Sequence, residues 1–156
     1  GIGLLARVPY AKARVITLTA EMMLDLFEFR MALEGMACRL ATERISPSEL
    51  QELEEQLDAH RYDPHPGFHR FDFHARIVAA SRNNRLIEAL NQDTYLLMRL
   101  YRTSSGAIPE RKQAAYEEHR QIIMAMKTGN ADLSESLMRS HIGRAAQHIR
   151  DQSNKG

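Results

Sequence analysis

The stretch FHRFDFHARI, residues 68 to 77, sets two histidines five apart around an aspartate. Histidine and aspartate are the residue types that hold divalent cations or move protons near neutral pH. Spacing decides whether they can act together. At about 100° per residue on a helix, His69 falls opposite His74, and Asp72 lies about 200° around the axis from it. His74 instead falls inside an apolar stripe made by Phe71, Ile77, Val78 and Ser81. Two later segments repeat the pattern. His119 sits within the face of Ala115, Tyr116, Ile122, Ile123 and Met126, and His141 lies among Leu137, Met138, Ala145 and Ile149.

One buried histidine needs no more than a hydrogen bond. Three imidazoles on facing helices lose their hydration together, which is costly unless they share a partner. A divalent cation is such a partner, and neutral imidazole nitrogen suits zinc or nickel. His74, His119 and His141 are therefore the candidate metal ligands. His60, His65 and His69 are expected to be solvated, and His148 to be a supporting group near His141 or the edge of the core. Arg30 lies in the middle of the inward stripe Met23, Leu26, Leu33, Ala37 and Ala41. It can pair with Glu34 one turn on, or clamp a carboxylate with its planar guanidinium. Arg99 is a further candidate anion contact, although it and Arg102 fall at the edge of their face.

These side chains need helices to hold them. Apolar residues recur at three and four with little β-type alternation, so an all-α fold is expected. Thr19 can cap a first helix running to about Ile45, long enough to raise the expectation of a bend near its start. Ser46-Pro47-Ser48-Glu49 is a capping box with proline at the first helical position. The second helix has an apolar line of Leu50, Leu53 and Leu57. A loop is expected at 62–67. A third helix should carry FHRFDFHARIVAAS and end where an asparagine of Arg82-Asn83-Asn84 turns left-handed. Helix four is expected over about 85–103, helix five from Pro109 to Gly129, and helix six over about 131–151. Six helices joined by short loops imply an antiparallel bundle.

With 156 residues, the chain is long enough for one domain with a core. Its 21 basic and 20 acidic residues leave a formal charge of +1, without the basic excess of a nucleic-acid surface. No apolar run approaches the roughly 18 residues that cross a bilayer. The single cysteine, Cys38, has no partner within the chain. A cytoplasmic location is expected.

Three stretches together resemble a known family. FEFRMALEGMACRLA is similar to the R-x-x-L-E helix opening the FCD domain, the effector domain of FadR-type GntR transcription regulators. FDFHARIVAASRNNRL resembles its F-H…A-S-x-N-x-x-L segment. EEHRQIIMAMKTGNADLSESLMRSHI resembles its E-H-x-x-I…M-x-x-H segment, with the two histidines 22 apart. The resemblance covers roughly residues 20 to 150. It implies an antiparallel helical bundle that forms homodimers and binds a small carboxylate effector at a central divalent metal. DNA would be read only through an N-terminal winged helix-turn-helix, which is absent here. GIGLLARV resembles the end of that domain's wing, so residues 1–18 are expected to be a linker remnant and 19–152 the effector-binding domain.

The family's ligands are Asp-x-x-x-His plus two histidines. The histidines carry over as His74, His119 and His141, but Arg70 stands where the aspartate belongs. Two outcomes follow. Three histidines hold the ion, with water or an effector carboxylate completing the shell. Alternatively, Arg70 replaces the metal as the positive charge facing an anion. Ligand contacts are expected at Arg30, Arg70 and Arg99. The chain is read as a sensor and not an enzyme, against two alternatives: a three-histidine hydrolase and a metal-free dimerisation module. The hydrolase reading lacks an inward acidic group beside the histidines, since Glu118 points away from His119.

Overall fold

A computed structural model describes residues 18–61, 71–90, 92–105 and 109–156. The described residues form seven helices: α1 (Ala20–Arg44), α2 (Pro47–Ala59), α3 (Phe73–Ala80), α4 (Asn84–Ala89), α5 (Gln92–Ser105), α6 (Pro109–Lys127) and α7 (Ala131–Ser153). The tail at 1–17 and the loop at 62–67 fall outside the described residues, and so does Arg70.

Side-chain caps set most helix starts. The Thr19 hydroxyl accepts from Met22 N at 3.1 Å, and the Ser46 hydroxyl accepts from Glu49 N at 3.1 Å with Pro47 following. Asn130 accepts from Leu133 N at 3.1 Å to open α7. Each such bond satisfies a backbone donor that has no partner within the helix, a contribution of about 1 kcal/mol. α1 is one unbroken helix of 25 residues.

Two boundaries differ from expectation. The helix carrying His74 starts at Phe73, not near Phe68, because Asp72 is extended and caps it, accepting from Ala75 N at 3.1 Å. The left-handed residue after α3 is Arg82 (φ 52°), while Asn83 caps α4 by accepting from Arg85 N and Leu86 N. The expected fourth helix is also two helices, α4 and α5. The first ends at Leu90, whose backbone leaves the helical region while its side chain stays buried against Ala37, Val78 and Leu86.

α7 packs most extensively along α1 and then α6, and α3 lies across α1. The α1–α7 pairing is antiparallel. A Cβ on Gly143 would lie 3.4 Å from Met31, a Cβ on Gly35 would meet Arg139 at 2.7 Å, and Arg39 pairs with Asp132. The absent Cβ at Gly35 lets Arg139 lie close to the α1 backbone. Met23, Ile77, Ile122, Ile123, Met138 and Ile142 are fully buried between these helices. Each such aliphatic side chain contributes about 1.5–3 kcal/mol of burial. This packing turns one face each of α3, α6 and α7 inward.

Candidate metal centre

His74 projects from the first turn of α3, His119 from the middle of α6 and His141 from the middle of α7. One ring nitrogen from each lies within 4.8 Å of the others. His141 Nε2 is 3.0 Å from His119 Nε2 and 3.1 Å from His74 Nε2. The ring of His119 stacks on Phe73, with centroids 4.1 Å apart. The three histidines chosen from their helical angles therefore meet.

Behind two of them stand carboxylates. His74 Nδ1 is 2.6 Å from Glu34 Oε1, and His141 Nδ1 is 2.8 Å from Glu118 Oε1. An ionised carboxylate only accepts, so each Nδ1 carries the hydrogen and each Nε2 keeps its lone pair. Arg30 Nη2 also lies 3.2 Å from His74 Nδ1, but both atoms are donors there, so that contact is not a hydrogen bond. Two lone pairs 3.1 Å apart repel unless a positive charge sits between them. A proton is a poor solution at neutral pH, because burial holds the His141 imidazole down at about 4, despite the opposing pull of Glu118.

A divalent ion fits the donor set better. Nitrogen ligands at about 2.1 Å from one ion lie about 3.0–3.4 Å apart, which matches both separations. Nδ1–H groups held by carboxylates are the usual outer support of metal-binding histidines. Among the described residues, no other group of three such side chains converges in this way.

The carboxylates are themselves anchored. Glu34 is 0% exposed, and burial alone would raise its pKa, but the charge of Arg30 and the hydrogen bond from His74 hold it at about 2. Arg30, 4% exposed, pairs with it through Nε and lies over the Phe27 ring. Burial would likewise raise Glu118, yet His141 and Arg111 hold it at about 2; Arg111 donates at 2.8 Å and Arg144 at 3.2 Å.

These contacts correct the expectation that no acidic side chain stands beside the histidines. Helical angle placed Glu118 away from His119, and it reaches across to His141 instead. Glu34 was visible only as the residue four after Arg30. Of the expected anion contacts, Arg30 is buried beside His74 in the ion-paired arrangement, and Arg99 is half-buried on α5. His60, expected to be solvated, is half-buried and stacks on Phe71. His148 is half-buried on α7, in keeping with the core edge.

An all-α bundle closed around three convergent, carboxylate-supported histidines defines a class of buried binding domain. The model of the FCD domain matches residues 25–144, and the chain belongs to that family, the effector-binding domain of GntR-type transcription regulators. It is 28% identical over 147 residues to a probable D-xylose utilization operon transcriptional repressor of Paenarthrobacter nicotinovorans, covering 90% of this chain and 64% of that protein. It is 30% identical over 145 residues to the uncharacterized HTH-type transcriptional regulator YcbG of Bacillus subtilis, covering 91% and 59%. The chain thus spans about three-fifths of the length of these relatives. Among solved structures, E. coli McbR/YncC superposes with a TM-score of 0.71 at 20% identity, over 91% of this chain and 76% of that one, which shows the shared fold. No helix among the described residues is long and apolar enough to cross a membrane.

Proposed function

We propose that this chain is the ligand-sensing and dimerisation domain of a bacterial, cytoplasmic transcription regulator. His74, His119 and His141 would hold a divalent ion, zinc or nickel, and the effector would be a small organic acid. The observation that carries this reading is the convergence of three imidazole nitrogens, with two of the rings locked from behind by Glu34 and Glu118. A bound ion would supply a Lewis-acidic point for a carboxylate oxygen. Glu34 and Glu118 fix the tautomers that keep two nitrogens free to ligate. Arg30 neutralises Glu34 and adds positive charge beside the site. Arg70 and Arg99 are further anion contacts in this proposal.

The same carboxylates favour sensing over hydrolysis. Both bond Nδ1 on the far side of their ring from the convergence point, and both are held near a pKa of 2, so neither is an effective base at neutral pH.

The centre joins α3, α6 and α7, and through Glu34 it reaches α1. An effector seated there biases how these helices pack, and so the spacing of two DNA-reading domains carried by a homodimer. Met22, Phe29 and Met36 support self-association: they are large, exposed and seven residues apart on α1, hence on one face. DNA contact belongs to an N-terminal domain of the parent regulator.

Elemental analysis of the purified chain tests the centre. About one zinc or nickel per chain is expected, and His74→Ala should lose it. A thermal-shift panel of di- and tricarboxylates, hydroxy acids and sugar acids tests sensing. An acid at a hundred times its Kd adds about 2.7 kcal/mol, or roughly 5–10 °C for a chain of this size. A metal-free chain that no acid stabilises would be a dimerisation module, and metal-dependent turnover would support the hydrolase.

A further inference from the structure

Tyr95 on α5 is 7% exposed, and its hydroxyl is buried without a hydrogen-bond partner. A buried hydroxyl left unmade is unfavourable, and such groups in folded proteins have a reason, an unseen ligand among them. Its position narrows the reason. Tyr95 and Met98 are three apart and share the buried face of α5. Met98 Sδ lies 3.5 Å from Arg30 Nη1, which joins that face to the guanidinium beside His74. The charges acting on the phenol include Glu34, Arg30 and Asp72, so it sits in the electrostatic surroundings of the centre. Arg30 is under-used on the same side. Its Nε serves Glu34, but Nη1 meets only a sulfur, and Nη2 faces a nitrogen that is itself a donor. A phenol and a guanidinium edge, both buried and both short of an oxygen acceptor, are thus connected through Met98.

We propose that Tyr95 is a specificity-determining residue of the effector site, reading an oxygen function that the effector carries in addition to its carboxylate. This rests on the reading of the centre as an effector site and narrows it to hydroxy, oxo or sugar acids, disfavouring plain fatty-type acids. A site built to hydrogen-bond a ligand oxygen rejects the analogue lacking it, because its own polar groups are then left unpaired.

The test compares matched acids on the full chain as purified and after Zn²⁺ loading. Lactate against propionate, malate against succinate and gluconate against hexanoate are titrated by calorimetry into the wild type and Tyr95→Phe. The expected wild-type preference for the oxygenated member of at least one pair is about tenfold or more, and in Tyr95→Phe that ratio should collapse toward one. The ligand-free variant should melt no lower than the wild type, since it loses a hydroxyl that has no protein partner. A preference that survives Tyr95→Phe overturns the proposal while leaving the effector site standing. So does a variant that melts several degrees lower without ligand, because the hydroxyl would then have a structural partner. If no acid binds either chain, the effector-site reading and this proposal fall together.

Discussion

Replacing Glu118 by glutamine separates support of the proposed metal centre from support of the fold. The carboxylate bonds His141 Nδ1 at 2.8 Å and receives Arg111 at 2.8 Å and Arg144 at 3.2 Å. Glutamine keeps the size and can still accept the Nδ1 hydrogen. It loses the negative charge that makes the imidazole a stronger donor, and its amide nitrogen has no acceptor on the arginine side. Outer-shell changes of this kind weaken metal binding about 10–100-fold, or roughly 1.4–2.7 kcal/mol. The loss to the metal-free fold should be smaller. The arginine pairs lie near the surface, where each contributes about 0–1 kcal/mol. Competition of Zn²⁺ against a chelator of known affinity at pH 7 measures the first quantity, and melting of the metal-stripped chain measures the second. A zinc affinity within twofold of wild type, with the fold intact, would refute the supporting role and leave Glu118 as a tie between α6 and α7.

Acid should act on the metal-free chain in two stages. The His141 pKa is depressed to about 4 in the fold, against 6.5 when exposed. The unfolded chain therefore binds the extra proton first, and stability falls as pH drops from 6.5 toward 4, by up to about 3 kcal/mol. Glu34 and Glu118, held at about 2, contribute stability that is present above about 4.5 and lost only below it. Urea midpoints at pH 7, 5.5 and 4 should decline across the first interval, and a flat response down to pH 4.5 would contradict the burial of a neutral His141. On α1, Phe29→Asp should convert a dimer to a monomer by light scattering while barely changing melting of the isolated fold, because that side chain is exposed in the single chain. A wild type that is monomeric at about 100 μM, or a variant that still dimerises, would show that this stripe is not the interface.

Helical period and caps made much of this protein readable from its sequence. The Ser46-Pro47-Ser48-Glu49 box opens α2 as expected, and Leu50, Leu53 and Leu57 are all buried. His74, His119 and His141 were each identifiable because a residue's angle around a helix follows from its number alone. The errors arose where a side chain competes with that period. Asp72 caps α3 and so shortens the helix, and Asn83 caps α4 where a left-handed turn was expected.

Angle around a helix says nothing of position along it or of which neighbour it meets. Those depend on how far each helix slides and rotates against the others, which the packing of the whole bundle settles. Only the tertiary structure could therefore place Glu34 behind His74 from 40 residues away, turn Glu118 toward His141 across two helices, and leave the Tyr95 hydroxyl buried without a partner. The sequence determined which three histidines face inward. The fold decided that their nitrogens converge and what stands behind them.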